Sequence, residues 1–502
     1  MSAIDPITLQ VLVGALRAAC DEMGATLIRS AYSANIKERH DCSTALFDAT
    51  GELVMQAEHI PVHLGSMPDA VAAILGEEQL PGSDWVLNDP YRGGTHLPDV
   101  TLVSPVFVAG GLLGFAASRA HHADVGGPTP GSMPAFSITL DEEGVTIPPT
   151  RIEEGTLAEL AAQMRSPRQR LADFRAQEAA NRVGEQRLGE LAERHGGAFL
   201  REGMAAILAY AERRTRAAIA KLPDGTYTAT DVLELPTGGD ATLRLAATIA
   251  GDSLRLDFAG TDPQVAGNLN CPLSVTKSAA FFAVRVLTDP EAPPSAGAHR
   301  PIEVVAPPGC LLSARPPAAV VAGNVETSSR VADLVLAALG GARPVPAQGQ
   351  GTMNNLTLAN DEFTYYETLG GGQGACPDAD GPSAIHVAMS NTLNTPVEAL
   401  ETEFPLQVRE LSLRRESGGI GERRGGDGLV RELEALAPMR FSLIAERRRH
   451  PPRGRGGADG APGRDTLNGE LLPAKTEGEL RPGDRLRIET PGGGGITNIS
   501  EF

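Results

Sequence analysis

Side chains that could hold a metal ion are concentrated in three short segments of the first 127 residues. The segments are ERHDCST (38–44), NDPYRGGTHLPDV (88–100) and SRAHHADVGG (118–127). Zinc and manganese accept mixed sets of imidazoles and carboxylates, because neutral imidazole donates strongly and carboxylates balance the charge. The sequence therefore predicts a divalent-metal site. Its candidate ligands are His40, Asp41, Asp89, His96, Asp99, His121, His122 and Asp124.

The spacing of these residues is compatible with one shared centre. His96 and Asp99 lie three apart in a predicted loop, and a histidine pair, His121 and His122, follows after one predicted hairpin. Asp41 follows the first predicted helix, so each segment falls at the end of an element, where functional sites usually form. The alternative is that each histidine only hydrogen-bonds a nearby backbone group.

A further histidine pair lies in HIPVH, as His59 and His63. Pro61 between them argues against a helix. Two interpretations stay open: the pair lines the same pocket as hydrogen-bond donors, or it packs structurally.

The elements that must position these residues alternate between helix and strand. Helical periodicity covers 6–31, a hairpin pattern covers 44–56, and two strands surround Gly110–Gly111. Residues 152–221 read as two or three long helices, and strand alternation returns at 225–260. The predicted fold class is α+β: a multi-subdomain, mixed α/β chain with strand-rich N- and C-terminal parts and a helical middle.

The length of 502 residues suits two to four subdomains. The expected division is a metal-site α/β region at 1–150, a helical region at 151–225, a mixed α/β region at 226–400 and a strand-rich region at 401–502.

Charge and composition exclude several classes of partner. The formal net charge of -19 repels nucleic acid and anionic membranes, and no apolar run approaches the roughly 20 residues of a membrane-spanning helix. The N-terminus lacks the pattern of a secretory signal. Five scattered cysteines without a CxxC pair predict reduced thiols and a cytoplasmic protein, with a catalytic thiolate at Cys42 or Cys376 as the minority interpretation.

Three glycine-rich stretches lie in the last third, at 370–375, 417–428 and 491–495. We expect tight turns there; the alternative is backbone N–H groups that line an anion pocket. The chain contains neither a GxxxxGK[ST] phosphate loop nor a GxSxG nucleophile elbow.

Longer motifs carry a resemblance over nearly the whole chain. The chain resembles the hydantoinase B/5-oxoprolinase family, which includes components of hydantoinases, caprolactamases and related ketone carboxylases. The motifs are RSAYSANIKERHDCSTALFDATGELVMQAEHIPVHLGSMP (29–68), NDPYRGGTHLPDVTLVSPVF (88–107), HHADVGG (121–127), GTDPQVAGNLN (260–270), GNVETSSR (323–330), GQGTMNN (349–355), YETLGGGQGA (366–375), MSNTLNTPVEALE (389–401), LRRESGGIGERRGGDGLVRE (413–432) and TPGGGG (490–495).

The resemblance implies a division of labour within a hetero-oligomer. ATP is bound by a partner of the A type, which phosphorylates the oxygen of a cyclic amide, and this chain holds a divalent metal that presents water to the activated carbon. The implied metal ligands are Asp41, His96, Asp99 and His121. His122 and Asp124 are the predicted catalytic residues, as candidates to accept the proton of that water.

The resemblance leaves two other functions open. One is a subunit of an ATP-dependent ketone carboxylase, which would join bicarbonate to the phosphorylated substrate. The other is a non-catalytic scaffold with a structural metal, whose site would be saturated with protein ligands.

Overall fold

The computed structural model describes residues 4–58 and 60–497. The helices are α1 (Pro6–Ser30), α2 (Ala34–Lys37), α3 (Met67–Ala72), α4 (Thr156–Ala162), α5 (Pro167–His195), α6 (Gly197–Ile219), α7 (Leu273–Thr288), α8 (Ala296–His299), α9 (Ser328–Leu339) and α10 (Val397–Glu403). The strands are β1 (Cys42–Asp48), β2 (Leu53–Glu58), β3 (Trp85–Leu87), β4 (Asp99–Val108), β5 (Gly111–His121), β6 (Thr150–Arg151), β7 (Gly225–Glu234), β8 (Asp240–Ala250), β9 (Ser253–Asp257), β10 (Ile302–Val305), β11 (Asn355–Ala359), β12 (Thr364–Glu367), β13 (Leu406–Arg414), β14 (Gly428–Ala435), β15 (Met439–Ile444), β16 (Arg464–Leu467), β17 (Glu470–Leu471), β18 (Lys475–Leu480) and β19 (Arg485–Glu489). The mixed fold class is confirmed.

The first sheet carries the candidate site and has the order β2-β1-β5-β4-β3-β6. The side chains along each strand point alternately to the two buried faces of the sheet, as the two-residue period of a strand requires. On β5, Ala116 and Ala120 pack with the helices α1, α5 and α6, whereas Phe115 and Ala117 pack on the opposite face. Both faces of its central strands are therefore covered by packed side chains.

Helix α1 shows why its segment folds as predicted. The Asp5 carboxylate accepts hydrogen bonds from the N–H groups of Ile7 and Thr8 and caps the helix, and Pro6 occupies the first turn, where no N–H donor is needed. The apolar residues recur at helical spacing and are all buried. They are Leu9, Leu12, Val13, Leu16, Cys20, Met23 and Leu27.

Three further sheets complete the fold. The second, β10-β9-β8-β7, packs against α7 and α9. The third, β12-β11-β15-β18, shares one core with the fourth, β13-β14-β19-β16-β17. The four-part division stays a prediction, but the third sheet pairs strands from both sides of the expected boundary at 400. Within 4–58 and 60–497, no helix is long and apolar enough to cross a membrane.

The three glycine-rich stretches lie against one another, backbone to backbone. The N–H groups of Gly372, Gly426 and Gly493 donate to the carbonyls of Pro491, Gln373 and Gly426 at 2.8–2.9 Å. None of these three glycines has the positive φ of a tight turn. The expectation of tight turns is therefore wrong for them, and their N–H groups are already used, so they do not support the alternative of an anion pocket either.

Glycine is required in this block because backbone meets backbone without room for a side chain. A Cβ on Gly493 would lie 2.0 Å from the carbonyl oxygen of Gln373. We expect Gly493→Ala to lower the free energy of unfolding by about 3 kcal/mol, at the upper end of the usual cost of overpacking. The urea midpoint measures this change, and Gly267→Ala is the matched control because a Cβ there would meet nothing within 4 Å. Equal midpoints for the two variants would contradict this account of the block.

Candidate metal centre

The centre forms where three neighbouring strands of the first sheet begin or end. Asp99 opens β4 and pairs directly with His121, which closes β5. The N–H of His121 donates to the carbonyl of Asp41 at 3.0 Å, just before β1 begins. Antiparallel register therefore brings together segments that are far apart in the sequence.

Three of the predicted ligands converge on one point. The ligand atoms of His96, Asp99 and His121 all lie within 4.8 Å of one another, and all three residues are buried. His96 Nε2 and His121 Nδ1 lie 3.1 and 3.3 Å from Asp99 Oδ1. An imidazole–carboxylate set of this size matches the chemistry of a divalent transition metal.

Unpartnered nitrogen atoms support this interpretation. Nδ1 of His96 and Nε2 of His121 are buried and lack a hydrogen-bond partner among the residues that the structure describes. Buried polar atoms are nearly always paired, because leaving one unpaired costs about 1–3 kcal/mol. A cation binds one nitrogen of each imidazole, so it would remove that cost for one nitrogen of each ring, and this chemistry fits a metal at the cluster.

Asp41 lines the same cavity but stands apart from the cluster of three. The space free of protein atoms at this cavity is about 310 Å³, counting the part that is open to solvent. It is lined by Asp41, Ile60, Val62, His63, Asp99, His121, Asn324, Val325, Met353, Tyr366, Thr368, Ser390 and Thr392. The carboxylate of Asp41 is not among the ligand atoms that meet within 4.8 Å. Its role as a fourth ligand therefore stays a prediction.

Asp99 is held as an anion by its neighbours. Burial alone would raise the pKa of Asp99, but the charge of His96 and hydrogen bonds from the histidines, His121 and His63 among them, bring the pKa well below its usual range. The hydroxyl of Thr95 also donates to Asp99 Oδ2 at 2.8 Å. A carboxylate that stays ionised is the form that binds a cation.

His63 supports the centre from the cavity wall. Its Nε2 lies 3.4 Å from Asp99 Oδ2, and its Nδ1 lies 2.9 Å from the hydroxyl of Ser43. Of the two interpretations of HIPVH, the geometry favours the pocket-lining one for this residue. The other histidine of that motif, His59, lies outside the described residues.

His122 does not face the cluster. Neighbouring residues at a strand end point to opposite sides, and His122 Nε2 lies 3.0 Å from Oε1 of Gln177 on α5. Its ring also contacts Phe174 on the same helix. Burial lowers the pKa of His122 to about 4, which keeps the ring neutral. The proton-accepting role predicted for His122 has no support in this placement.

Asp124 instead organises the loop after β5. Its carboxylate accepts hydrogen bonds from the N–H groups of Gly126 and Gly131 at 2.8 and 2.7 Å. It also pairs with Arg165 at 3.1 Å. Neither Asp124 nor His122 lines the cavity. The catalytic role of Asp124 therefore stays a prediction that its surroundings do not favour.

The cysteines contribute no thiolate to the site. Cys42 is completely buried at the start of β1, and burial raises its pKa well above the usual value. Burial also raises the pKa of Cys376, and neither residue lines the cavity. The minority interpretation of a catalytic thiolate at either position has no support in these surroundings. All five cysteines are free thiols, as expected.

Two residues of the cavity wall touch the cluster but are not indicated by the spacing of the candidate ligands. Asn324 Nδ2 donates to Asp99 Oδ2 at 3.3 Å, and Tyr366 stacks on His121 with ring centroids 4.8 Å apart. Asn324 lies in a π-helical turn at Gly323–Thr327. Both residues fall in the long motifs GNVETSSR and YETLGGGQGA, which were the only signal that could have indicated them.

Comparison with known proteins shows similarity over almost the whole chain. The family model described as hydantoinase B/oxoprolinase matches residues 5–498. The chain is 38% identical to 5-oxoprolinase 1 of Arabidopsis thaliana, over 98% of this chain and 42% of that protein. It is 32% identical to a putative D-/L-hydantoinase subunit of Pseudomonas sp., over 100% of this chain and 91% of that protein.

The fold is shared with a solved enzyme. The crystal structure of ATP-dependent caprolactamase from Pseudomonas jessenii superposes with a TM-score of 0.92 at 30% identity, covering 98% of this chain and 91% of that chain. The chain spans about two fifths of the length of the 5-oxoprolinases that it matches.

Proposed function

The chain belongs to the hydantoinase B/oxoprolinase family, and from this premise we propose that it is the ring-opening subunit of an ATP-dependent cyclic-amide hydrolase. Its substrate would be a hydantoin, 5-oxoproline or a lactam that an A-type subunit has phosphorylated. The observation that carries the proposal is the convergence of His96, Asp99 and His121 beside a cavity.

We propose Asp41, His96, Asp99 and His121 as the metal ligands. A divalent cation, zinc or manganese, would lower the pKa of a coordinated water from about 16 toward about 7. The side chains around Asp99 would keep its oxygens in place: His63, Thr95 and Asn324 all approach Oδ2 and leave Oδ1 to the cluster.

The division of labour follows from amide chemistry. An amide resists water because the nitrogen lone pair is delocalised into the carbonyl, and phosphorylation of the oxygen removes that protection. One water would add to the carbon, the carbon–nitrogen bond would break as the nitrogen takes up a proton, and a second water would release phosphate from the acyl phosphate. The sequence contains no phosphate-loop motif, which supports assigning ATP to the partner.

Ring opening by a co-purified pair tests the proposal. We expect phosphate release and the ring-opened amino acid from at least one of hydantoin, 5-oxoproline and caprolactam when the A-type subunit and ATP are both present. Each subunit alone, and the pair without ATP, should give no ring-opened product. A pair that consumes ATP only with a ketone and bicarbonate would identify the carboxylase alternative instead.

A further inference from the structure

A buried arginine next to the metal centre has no carboxylate partner. Arg39 is 0% exposed, and within 4–58 and 60–497 it has no ion pair with an acidic side chain. Other fully buried arginines do have one: Arg330 pairs with Glu446, Arg431 with Glu367, and Arg447 with Asp333. Burying a charge without a counter-charge is costly, so the surroundings of Arg39 need an explanation.

The partners of Arg39 are neutral and lead to the cavity. Its Nη1 donates to the carbonyl of Tyr366 at 2.6 Å, and its Nη2 donates to the hydroxyls of Thr368 and Thr392 at 2.6 and 3.0 Å. Both hydroxyl-bearing residues line the cavity of the metal centre. Arg119 also lacks an ion pair among the described residues, but its hydrogen-bond partners, Ser66, Thr101 and Gly93, do not line this cavity.

The hydroxyls of Thr368, Ser390 and Thr392 form a connected group on one wall of the cavity. Thr368 Oγ1 and Thr392 Oγ1 lie 2.7 Å apart, and Thr392 Oγ1 lies 3.3 Å from Nε2 of His386. The hydroxyl of Ser390, also on the cavity wall, lies 2.6 Å from Nδ1 of the same ring. Burial and the charge of Arg39 lower the pKa of His386 to about 3, so the imidazole adds no second positive charge.

This wall offers the contacts that an oxyanion needs. Hydroxyl groups can rotate to donate hydrogen bonds, and those on Thr368 and Thr392 are polarised by the guanidinium that donates to them. Hydrogen bonds to a charged oxygen are about twice as strong as neutral ones. An anion at the wall would also supply the counter-charge that Arg39 lacks among the described residues.

We propose that Thr368, Ser390 and Thr392, backed by Arg39, form an oxyanion subsite of the cavity. The subsite rests on the proposed function for its biological ligand, which is the phosphoryl group of the activated amide or the carboxylate of the substrate. Because this wall and the metal centre line one cavity, an oxyanion held at the wall would keep the reacting carbon beside the cluster.

Anion binding to the full chain tests the subsite without any turnover. Inorganic phosphate and acetate are titrated into the protein by calorimetry, once with metal supplied and once after EDTA treatment, because phosphate also binds metals directly. We expect wild type to bind at least one of the anions in both states. The double variant Thr368→Val/Thr392→Val should weaken that binding by about tenfold or more.

Matched variants make the result decisive. Thr276→Val removes a buried hydroxyl that bonds the carbonyl of Leu312 and does not line the cavity, so its affinity should equal that of wild type. Arg39→Met should abolish binding, and the threonine variants decide the question if that protein does not fold. Tighter binding of phosphate identifies the phosphoryl group as the ligand, and tighter binding of acetate identifies the carboxylate.

Two outcomes would overturn the subsite. One is equal affinity in the double threonine variant and the Thr276→Val control; the other is no binding of either anion to EDTA-treated wild type. Failure of the proposed function looks different, because the co-purified pair would then open no ring while the threonine-dependent binding of anions persists.

Discussion

Replacing His96 with alanine is expected to remove the bound metal and to lower ATP-dependent ring opening at least about 1000-fold. Metal activation of water contributes several kcal/mol, and each 1.36 kcal/mol is tenfold in rate. His96 is fully buried and supplies one of the three ligand atoms that converge, so its loss would leave only Asp99 and His121 of the cluster. Metal content by mass spectrometry and phosphate release by the pair are the measurements.

The matched control for this change is His195→Ala. His195 is an exposed histidine at the end of α5, far along the chain from the cluster, and its replacement should leave metal content and turnover unchanged. A His96→Ala protein that keeps full metal occupancy and normal turnover would refute the metal centre. Loss of metal with normal turnover would favour the scaffold alternative.

Replacing Asp231 with asparagine is expected to lower the free energy of unfolding by about 3–5 kcal/mol. The side chain is buried on β7 and lies 3.5 Å from Arg330 and 3.4 Å from Arg447. Asparagine keeps the volume but removes the negative charge, so two buried guanidinium groups would lose a counter-charge that they share. The urea midpoint of the purified chain measures the loss.

The network around Asp231 explains the size of this effect. Arg447 also pairs with Asp333 on α9 at 2.8 Å, and Arg330 pairs with Glu446 at 3.3 Å. Lys475 on β18 reaches the same Glu446 at 2.7 Å. The network therefore joins the second sheet and its covering helix to the third sheet. Removing a charge at the centre of the network weakens the contacts on both sides of it.

The dependence of this effect on pH has a definite sign. Burial raises the pKa of Asp231, but Arg447 and Arg330 outweigh it and bring the pKa below the ordinary value of 3.8. A pKa that is lower in the folded protein than in the unfolded chain stabilises the fold at pH values above the unfolded-state pKa. That stability is lost as the pH falls through the folded-state pKa. The difference between wild type and Asp231→Asn should therefore be constant from about pH 5 to 8.

Asp252→Asn is the control for the buried network. Asp252 pairs with Arg216 at 3.1 Å, but its side chain is 54% exposed, and exposed pairs contribute about 0–1 kcal/mol. A loss for Asp231→Asn that is no larger than the loss for this control would show that the buried network does not hold the two sheets together.

The sequence by itself determined the local helices and strands and the types of residue that form the site. Helical periodicity over 6–31 predicted α1, and two strands around Gly110–Gly111 predicted the hairpin of β4 and β5. The long motifs identified the family, and spacing together with resemblance selected His96 and Asp99. These features are encoded by near neighbours in the chain, so they are readable without a structure.

Tertiary structure decided which of the neighbouring candidates meet. Strand register directs His121 toward Asp99 and His122 toward α5, a distinction that spacing could not make because the two residues are adjacent. The cavity wall comes from segments hundreds of residues away, with Asn324 and Thr392 among them. Which side chains share a cavity depends on how sheets and helices pack, and that packing is set by many distant contacts at once and not by the order of residues in any one segment.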